Sequence, residues 1–344
     1  MSAPTSMREI TYRDAIREAL AEEMERSPNM VIIGEDITPG GGTFGIHLGL
    51  KERFGERLLE APISEAAIVG TALGAALAGG PAVAEIMYSD FMTVCMDEIV
   101  NQAAKIRYMT GGQARVPLVV RSPYGQTRGI AAQHSQSLEA WYAHIPGLRV
   151  AMPSNPADAK GLLKSALRGE DPVVFLEHKL LYGTKGPVPD GEHLVPLGRA
   201  AIIREGRDVT VVATGLTVSR AEEAATRLAG AGIEAEIVDP RTVSPIDWAT
   251  IFASVDKTGR AIVVNEATLA CSVASEIAAT VSEERFASLK APVRRIGAPF
   301  VPKPSTPELE KFAYPNVDDI VRVATEICAP PGSEVAGKRR SSSR

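Results

Sequence analysis

Residues 62–87 read PISEAAIVGTALGAALAGGPAVAEIM. No charge interrupts the run from Ala66 to Val83, yet it does not suit a membrane span. It is rich in Ala and Gly, contains Pro81 and begins directly after Glu65, whereas a span needs about 20 strongly apolar residues. The pattern predicts a buried helix of small residues over Ser64–Ala78, then a strand over Ala82–Met87. A helix feeding a short, undivided apolar strand is the unit of a parallel sheet covered on both faces.

The same alternation extends in both directions. Toward the N-terminus, Ile16, Ala19, Leu20 and Met24 lie on one helix face over Tyr12–Arg26, with Thr11 and Asp14 placed to cap it. A strand is expected at Met30–Ile33. Toward the C-terminus, strands are expected at Pro117–Val120, Leu148–Met152 and Val173–Glu177, and helices at Met92–Met109 and Pro156–Arg168. Pro156 at a first turn behind Ser154 or Asn155 is a helix start signal. From Leu181 to Pro196 the pattern lapses into a Gly- and Pro-rich stretch that marks a domain boundary. A second series follows, with strands at Val209–Thr214, Ala235–Val238, Ala261–Asn265 and Val293–Gly297. Its helices lie near Ser219–Ala229, Cys271–Glu283 and Val317–Ile327. Both halves therefore read as open α/β sheets with helices on each face. Such sheets bind ligands at the carboxyl ends of their strands.

Composition narrows the function classes. A chain of 344 residues suggests about two domains. A hydrophobic fraction of 45%, a charged fraction of 23% and a net charge of −5 fit a globular protein and give no basic face for nucleic acid. Cys95, Cys271 and Cys328 are far apart and match neither zinc spacing nor a disulfide framework, so a reducing cytoplasm is expected. The start MSAPTSMREI lacks a basic region followed by an apolar run, so no signal peptide is expected.

No GxGxxG stands directly after a strand, and neither GxxxxGK(S/T) nor a GxSxG elbow occurs, which weakens a nucleotide-binding electron-transfer reading. The triplet Gly40-Gly41-Gly42 lacks a strand before it and a helix after it, and fits a mobile loop better than an anion site. Two segments carry more. Glu65 stands at the mouth of the small-residue helix, where an acid also serves simply to complement the helix dipole. In RSPYGQTRGIAAQHSQSLEAWYAHIPGL, residues 121–148, His134 follows an apolar strand and sits among Gln133, Ser135 and Gln136. Histidine carries protons near neutral pH, though a loop hydrogen bond explains such a setting too. His144, in an apolar run, reads as packing.

PISEAAIVGTALG resembles the Glu-x4-Gly-apolar-x-x-Gly motif of the pyrimidine-binding domain in thiamine-diphosphate enzymes. Glu65, Gly70 and Gly74 are in register, and Thr71 stands where a bulkier apolar residue is usual. DEIVNQAAKIRYMTGGQ, AAQHSQS, AWYAHIPGL, DAKGLLKSALR, DPVVFLEHKLLYG and VDPRTVSPID resemble the beta subunits of the decarboxylating first component of 2-oxo acid dehydrogenase complexes. The likeness runs from about Met7 to Ile327. It implies two doubly wound α/β domains: a pyrimidine-binding, transketolase-like domain over 7–185 and a transketolase C-terminal-like domain over 197–329. A disordered tail is expected over 330–344.

The resemblance also implies roles. Glu65 would hydrogen-bond a ring nitrogen of the cofactor's aminopyrimidine, a case of protein tuning cofactor electronics. Phe91 would stack on that ring, with Ile63 and Met87 lining it, and His134 would assist acyl transfer to a lipoyl group. Leu118, Ala166, Leu167, Gly169 and Asp171 match a structural potassium site built mostly from main-chain carbonyls. Glycine stands at 169, where the family commonly has Asp or Asn. The family's Gly-Asp-Gly and downstream Asn for diphosphate and magnesium do not occur here, so the resemblance implies an alpha subunit that supplies them. Two alpha and two beta chains would form the unit, with a lipoyl acyltransferase as further partner. Pyruvate is the favoured substrate, then acetoin cleavage, because AVAEIMYSDFMTVCMDEI and FLEHKLLYG also resemble acetoin dehydrogenase beta chains; a branched-chain 2-oxo acid is third. A non-catalytic docking subunit is the alternative from another class, and the intact Glu65, Phe91 and His134 argue against it. Asp239 and Arg241 in VDPRT are expected to order a turn.

Overall fold

A computed structural model describes residues 6–127 and 129–329; the expectation for 330–344 lies outside them. β1 (Met7–Thr11) leads into α1 (Tyr12–Arg26), and the Thr11 hydroxyl caps the helix by accepting from Asp14 N at 3.1 Å. β2 (Val31–Gly34), α2 (Leu50–Phe54), β3 (Leu58–Glu60), α3 (Glu65–Leu77) and β4 (Ala82–Glu85) follow. Where the spacing predicts one helix over Met92–Met109, a 3-10 segment (Ser89–Cys95), a π-helical segment (Glu98–Ala103) and α4 (Ala104–Met109) stand instead. β5 (Leu118–Tyr124), α5 (Glu139–Ala143), β6 (Arg149–Ala151), α6 (Pro156–Leu167), β7 (Val173–His178) and β8 (Lys185–Pro189) complete this half. Asn155 caps α6 ahead of Pro156, accepting from Asp158 N at 2.9 Å.

The second half runs β9 (Ala201–Arg204), β10 (Val209–Ala213), α7 (Leu216–Ala229), β11 (Ala235–Asp239), β12 (Thr242–Ser244), α8 (Trp248–Thr258) and β13 (Ala261–Thr268). It closes with α9 (Val273–Glu284), β14 (Arg294–Ala298), α10 (Pro307–Ala313) and α11 (Val317–Cys328).

Three sheets result. The largest has the order β12-β6-β7-β5-β4-β2-β3, parallel throughout except that β12 joins β6 antiparallel. The second has the order β14-β13-β10-β11-β9, parallel except at β9. β1 and β8 pair antiparallel in a small sheet of their own, so part of the stretch read as a boundary is strand. β12, although it belongs to the C-terminal half, completes the edge of the first sheet. One apolar cluster likewise runs from Ile68 and Ala72 of α3, through Tyr124 and Tyr142, to Val212, Val263 and Ile277.

The central strands are buried almost throughout, as undivided apolar runs require. α3 buries Ile68, Val69, Ala72, Leu73 and Ala76 against this core. No helix among the described residues is long and apolar enough to cross a membrane. On the opposite face of the first sheet, α1 and α6 are joined by buried lysines. Lys160 Nζ meets Glu18 at 3.0 Å and Glu22 at 2.6 Å, and Lys164 Nζ meets Glu22 at 2.6 Å and Glu192 at 2.9 Å. The loop with the glycine triplet bonds to itself, His47 N donating to Gly41 O at 2.9 Å, and brings Phe44 against Tyr88.

Candidate functional site

Parallel strands deliver their carboxyl ends to one place, and five of them supply the polar groups found there. Glu35 follows β2, β3 leads to Glu65, β4 leads to Met87 and Phe91, β5 opens the loop that carries His134, and Lys179 follows β7. This is where an open α/β sheet places a ligand.

Glu65 is the first residue of α3, where the partial positive charge of the helix start favours an anion. Its residue is 9% exposed, and no described residue donates a hydrogen bond to its carboxylate. Two neighbours register its charge. Burial pushes the Glu35 carboxyl up, and Glu65 adds to the effect. Burial likewise pushes the Cys95 thiol up to about 12, with Glu98 and Glu65 contributing. Cys95 is therefore an inert packing residue rather than a nucleophile. One oxygen of Glu35 is buried with no partner among the described residues.

α3 packs along the 89–95 segment, which brings Phe91 beside it. Phe91 meets the His134 ring edge-on at 5.3 Å, and Tyr88 meets the same ring at 5.0 Å and Phe91 at 5.7 Å. Edge-to-face contacts of this kind are the favoured geometry for aromatic pairs. The Thr43 hydroxyl donates to Met87 Sδ at 3.8 Å, beside Phe44, which packs on Tyr88. Ile63, two residues before Glu65, is 81% exposed. Phe91 and His134 are thus in direct contact, and Glu65 heads the helix that packs on the Phe91 segment, while Ile63 and Met87 adjoin these residues along the chain.

Lys179, Tyr88, Asp90 and Glu35 also reach this place without being singled out by sequence. The Lys179 ammonium donates to the main-chain oxygen of His134 and lies 5.0 Å from the centroid of the Tyr88 ring. Burial pulls its pKa down to about 8, against the charges of Asp90 and Glu266. Asp90 Oδ1 accepts from Gln136 N at 3.2 Å and from Gln136 Nε2 at 2.9 Å. The one available signal was the appearance of charge at the ends of otherwise apolar strands, as in VVFLEHK.

The residues of the expected potassium site lie elsewhere. Leu118 begins β5, Ala166 and Leu167 end α6, and Gly169 and Asp171 form the turn into β7, all at the amino ends of the strands. The Asp171 carboxylate is held by Arg107 and by Arg149, each at 2.8 Å. That engagement leaves the Asp171 main-chain oxygen as the atom it would offer to a cation. Gly169 N donates to Ala166 O at 3.1 Å. Among the described residues no group of three or more His, Cys, Asp or Glu side chains could hold a metal ion.

Residues 8–185 match the transketolase pyrimidine-binding domain and residues 198–320 the transketolase C-terminal domain. The beta subunit of acetoin:2,6-dichlorophenolindophenol oxidoreductase from Cupriavidus necator is 48% identical over 327 residues, 92% of this chain and 97% of that one. The pyruvate dehydrogenase E1 component subunit beta-1 of Arabidopsis thaliana is 45% identical, over 93% of this chain and 90% of its own. The 2-oxoisovalerate dehydrogenase subunit beta of Bacillus subtilis is 44% identical, over 92% and 98%. The chain belongs to the family of 2-oxo acid dehydrogenase first-component beta subunits. Its fold is shared by a solved split-gene transketolase in an inactive tetramer, with a TM-score of 0.75 at 24% identity, covering 93% of this chain and 98% of that one. In this beta subunit every residue of the cluster from Glu35 to Lys179 falls within the pyrimidine-binding region.

Proposed function

We propose that this beta subunit supplies the pyrimidine-binding half of a thiamine-diphosphate site shared with an alpha subunit. The pair decarboxylates a 2-oxo acid, pyruvate first, and passes the acyl group to a lipoyl acyltransferase. The observation that carries this reading is Glu65: a nearly buried carboxylate, without a donor among the described residues, at the start of the helix that packs on the Phe91 segment. A carboxylate so placed fits a partner that brings its own hydrogen-bond donor.

Thiamine diphosphate supplies a nucleophilic carbon and an electron sink. Glu65 would hydrogen-bond a ring nitrogen of its aminopyrimidine. Phe91, Met87 and Ile63 would hold the ring and keep water from it. His134, its ring fixed edge-on by Phe91 and Tyr88, would move a proton during acyl transfer to lipoyl. Ile63, at 81% exposure, and Val94, at 60% on the segment that carries Phe91, leave apolar surface for the alpha chain to cover. The relatives' names, each a beta subunit, support that partner. The alpha chain would hold magnesium and the diphosphate, in a unit of two alpha and two beta chains. A potassium ion, if bound at 118 and 166–171, would be held by main-chain oxygens.

A second reading is acetoin cleavage. Relatives named for acetoin reach 48% and 46% identity, against 45% for the pyruvate enzyme cited above. Both reactions break a carbon–carbon bond beside a carbonyl, so the same residues serve either. Glu65→Gln should lower turnover by roughly 100-fold or more while assembly with the alpha chain persists. Near-normal turnover of that variant would remove Glu65 from the chemistry. Assaying the reconstituted pair with pyruvate, acetoin and 2-oxoisovalerate, with 2,6-dichlorophenolindophenol as acceptor, decides the substrate.

A further inference from the structure

The His134 loop runs from Gly125 to Gln136, and its ends are joined by Gly125 N donating to Gln136 O at 3.0 Å. Loops closed this way are compact units whose placement depends on what grips them. At the His134 end the grip comes from the same half of the chain, through Lys179, Asp90 and the Ser89 hydroxyl on Gln136 O at 3.4 Å. At the other end it comes from the second half.

Gln126 N donates to Glu266 Oε1 at the end of β13, and the Gln126 side chain accepts from Arg220 Nη2 at 2.8 Å. Burial pushes the Glu266 carboxyl up, but His178, Arg220 and the Gln126 N–H outweigh it and hold the group at about 2. Three residues on, Gly129 N donates to Glu310 Oε1 at 2.9 Å. Glu310 is 6% exposed although it stands on the short α10, between Leu309 at 57% and Lys311 on the surface. A carboxylate accepting a main-chain N–H makes one of the stronger hydrogen bonds available.

The glycines show how close the two halves come. Gly125 has φ +80°, and a Cβ there would lie 2.5 Å from His178 Nε2 and 2.7 Å from Glu266 Oε1. Gly129 has φ +81°, and a Cβ there would lie 3.1 Å from Ser305 O. Only glycine combines that backbone with that approach.

We propose that Glu310 is a positioning residue for His134. By fixing Gly129 it sets the loop that presents the imidazole to the incoming lipoyl group. The second domain thereby takes part in acyl transfer as well as in the fold. The inference rests on the transfer role read for His134 above.

The test uses the co-expressed alpha and beta subunits and two rates. One is dye-linked substrate oxidation with 2,6-dichlorophenolindophenol; the other is acyl transfer to lipoamide. Glu310→Ala should slow lipoamide transfer by about tenfold while changing the dye-linked rate less than about twofold, and Glu310→Gln, which keeps an acceptor oxygen, should restore most of the transfer rate. Gly129→Ala loosens the same clamp without touching the carboxylate and should split the two rates in the same sense, which covers a Glu310→Ala chain that fails to assemble. His134→Ala is the reference. If it splits the rates while Glu310→Ala and Gly129→Ala lower both equally or neither, the positioning role is overturned and the role of His134 stands. If His134→Ala itself shows no split, both fall.

Discussion

Lys179 and Glu65 differ in how they come to the site, and the difference explains what a sequence reveals. Glu65 is announced by its neighbours, because a lone acid heading a helix of small residues stands out. Lys179 is placed by pairing: β5 and β7 run in parallel register with Tyr124 opposite His178, so the next residue lands beside the loop that β5 opens. Nothing local marks it, and the same holds for Asp90, whose partner Gln136 lies 46 residues away. Held at about pKa 8 by burial against Asp90 and Glu266, Lys179 is charged at neutral pH and loses its proton as pH rises through that value. Its charged bond to His134 O weakens with it. We therefore expect lipoamide transfer to decline above about pH 8, and Lys179→Met to be slower at pH 7 and to lack that alkaline limb. A pH–rate profile checks this, and an unchanged limb in the variant assigns it to another group.

Among the elements, α3 was legible because small residues and a bounded length leave few alternatives to a buried helix. The stretch after β4 was not. Apolar spacing predicts one helix, but Phe91 N bonds back to Tyr88 O at 2.9 Å and the Thr93 hydroxyl to Asp90 O at 2.9 Å. These local bonds tighten the first turns into a 3-10 path, and a π-helical segment follows before regular helix resumes. Departures of this kind collect at functional sites. Gly186, Pro187 and Pro189 make the sequence of β8 look like a domain boundary, because prolines suit a strand only at an edge. α3 also carries an open face: a Cβ at Gly74 would meet nothing within 4 Å. Gly74→Leu should thus leave the melting temperature of the isolated beta chain within a few degrees of wild type, because relief of the glycine's helix penalty, about 1 kcal/mol, offsets the exposed side chain. If the alpha subunit covers that face, the variant should fail to assemble with it, as gel filtration would show. Normal assembly would place the alpha subunit elsewhere.

For the whole molecule, two α/β halves were legible from alternation alone, whereas their fusion was not, since β12 is three residues long and carries no pattern of its own. The turn before it is where the halves lock. Arg241, with φ +59°, reaches Asp158 at 2.8 Å, and the Ser154 hydroxyl donates to Asp239 Oδ2 at 2.5 Å. The VDPRT segment thus orders its turn and ties it to α6 as well. Burial, with the charge of Asp158, raises the Asp239 carboxyl to about 7. Between the usual aspartate value and that figure the folded chain keeps a proton that the unfolded chain has lost, so this group's contribution falls as pH rises from about 4 to 7. Asp239→Asn should flatten that dependence by up to a few kcal/mol, read as urea unfolding at pH 5 and pH 7; an unaltered slope would exclude Asp239 as its source. The shared sheet has a practical outcome for anyone trimming the gene. A fragment stopped after β8 would leave Val150 and Ala151 on an uncapped outer strand, free to recruit other chains. Such a fragment should precipitate or self-associate, and the cofactor-binding half is better dissected by point substitution than by scissors.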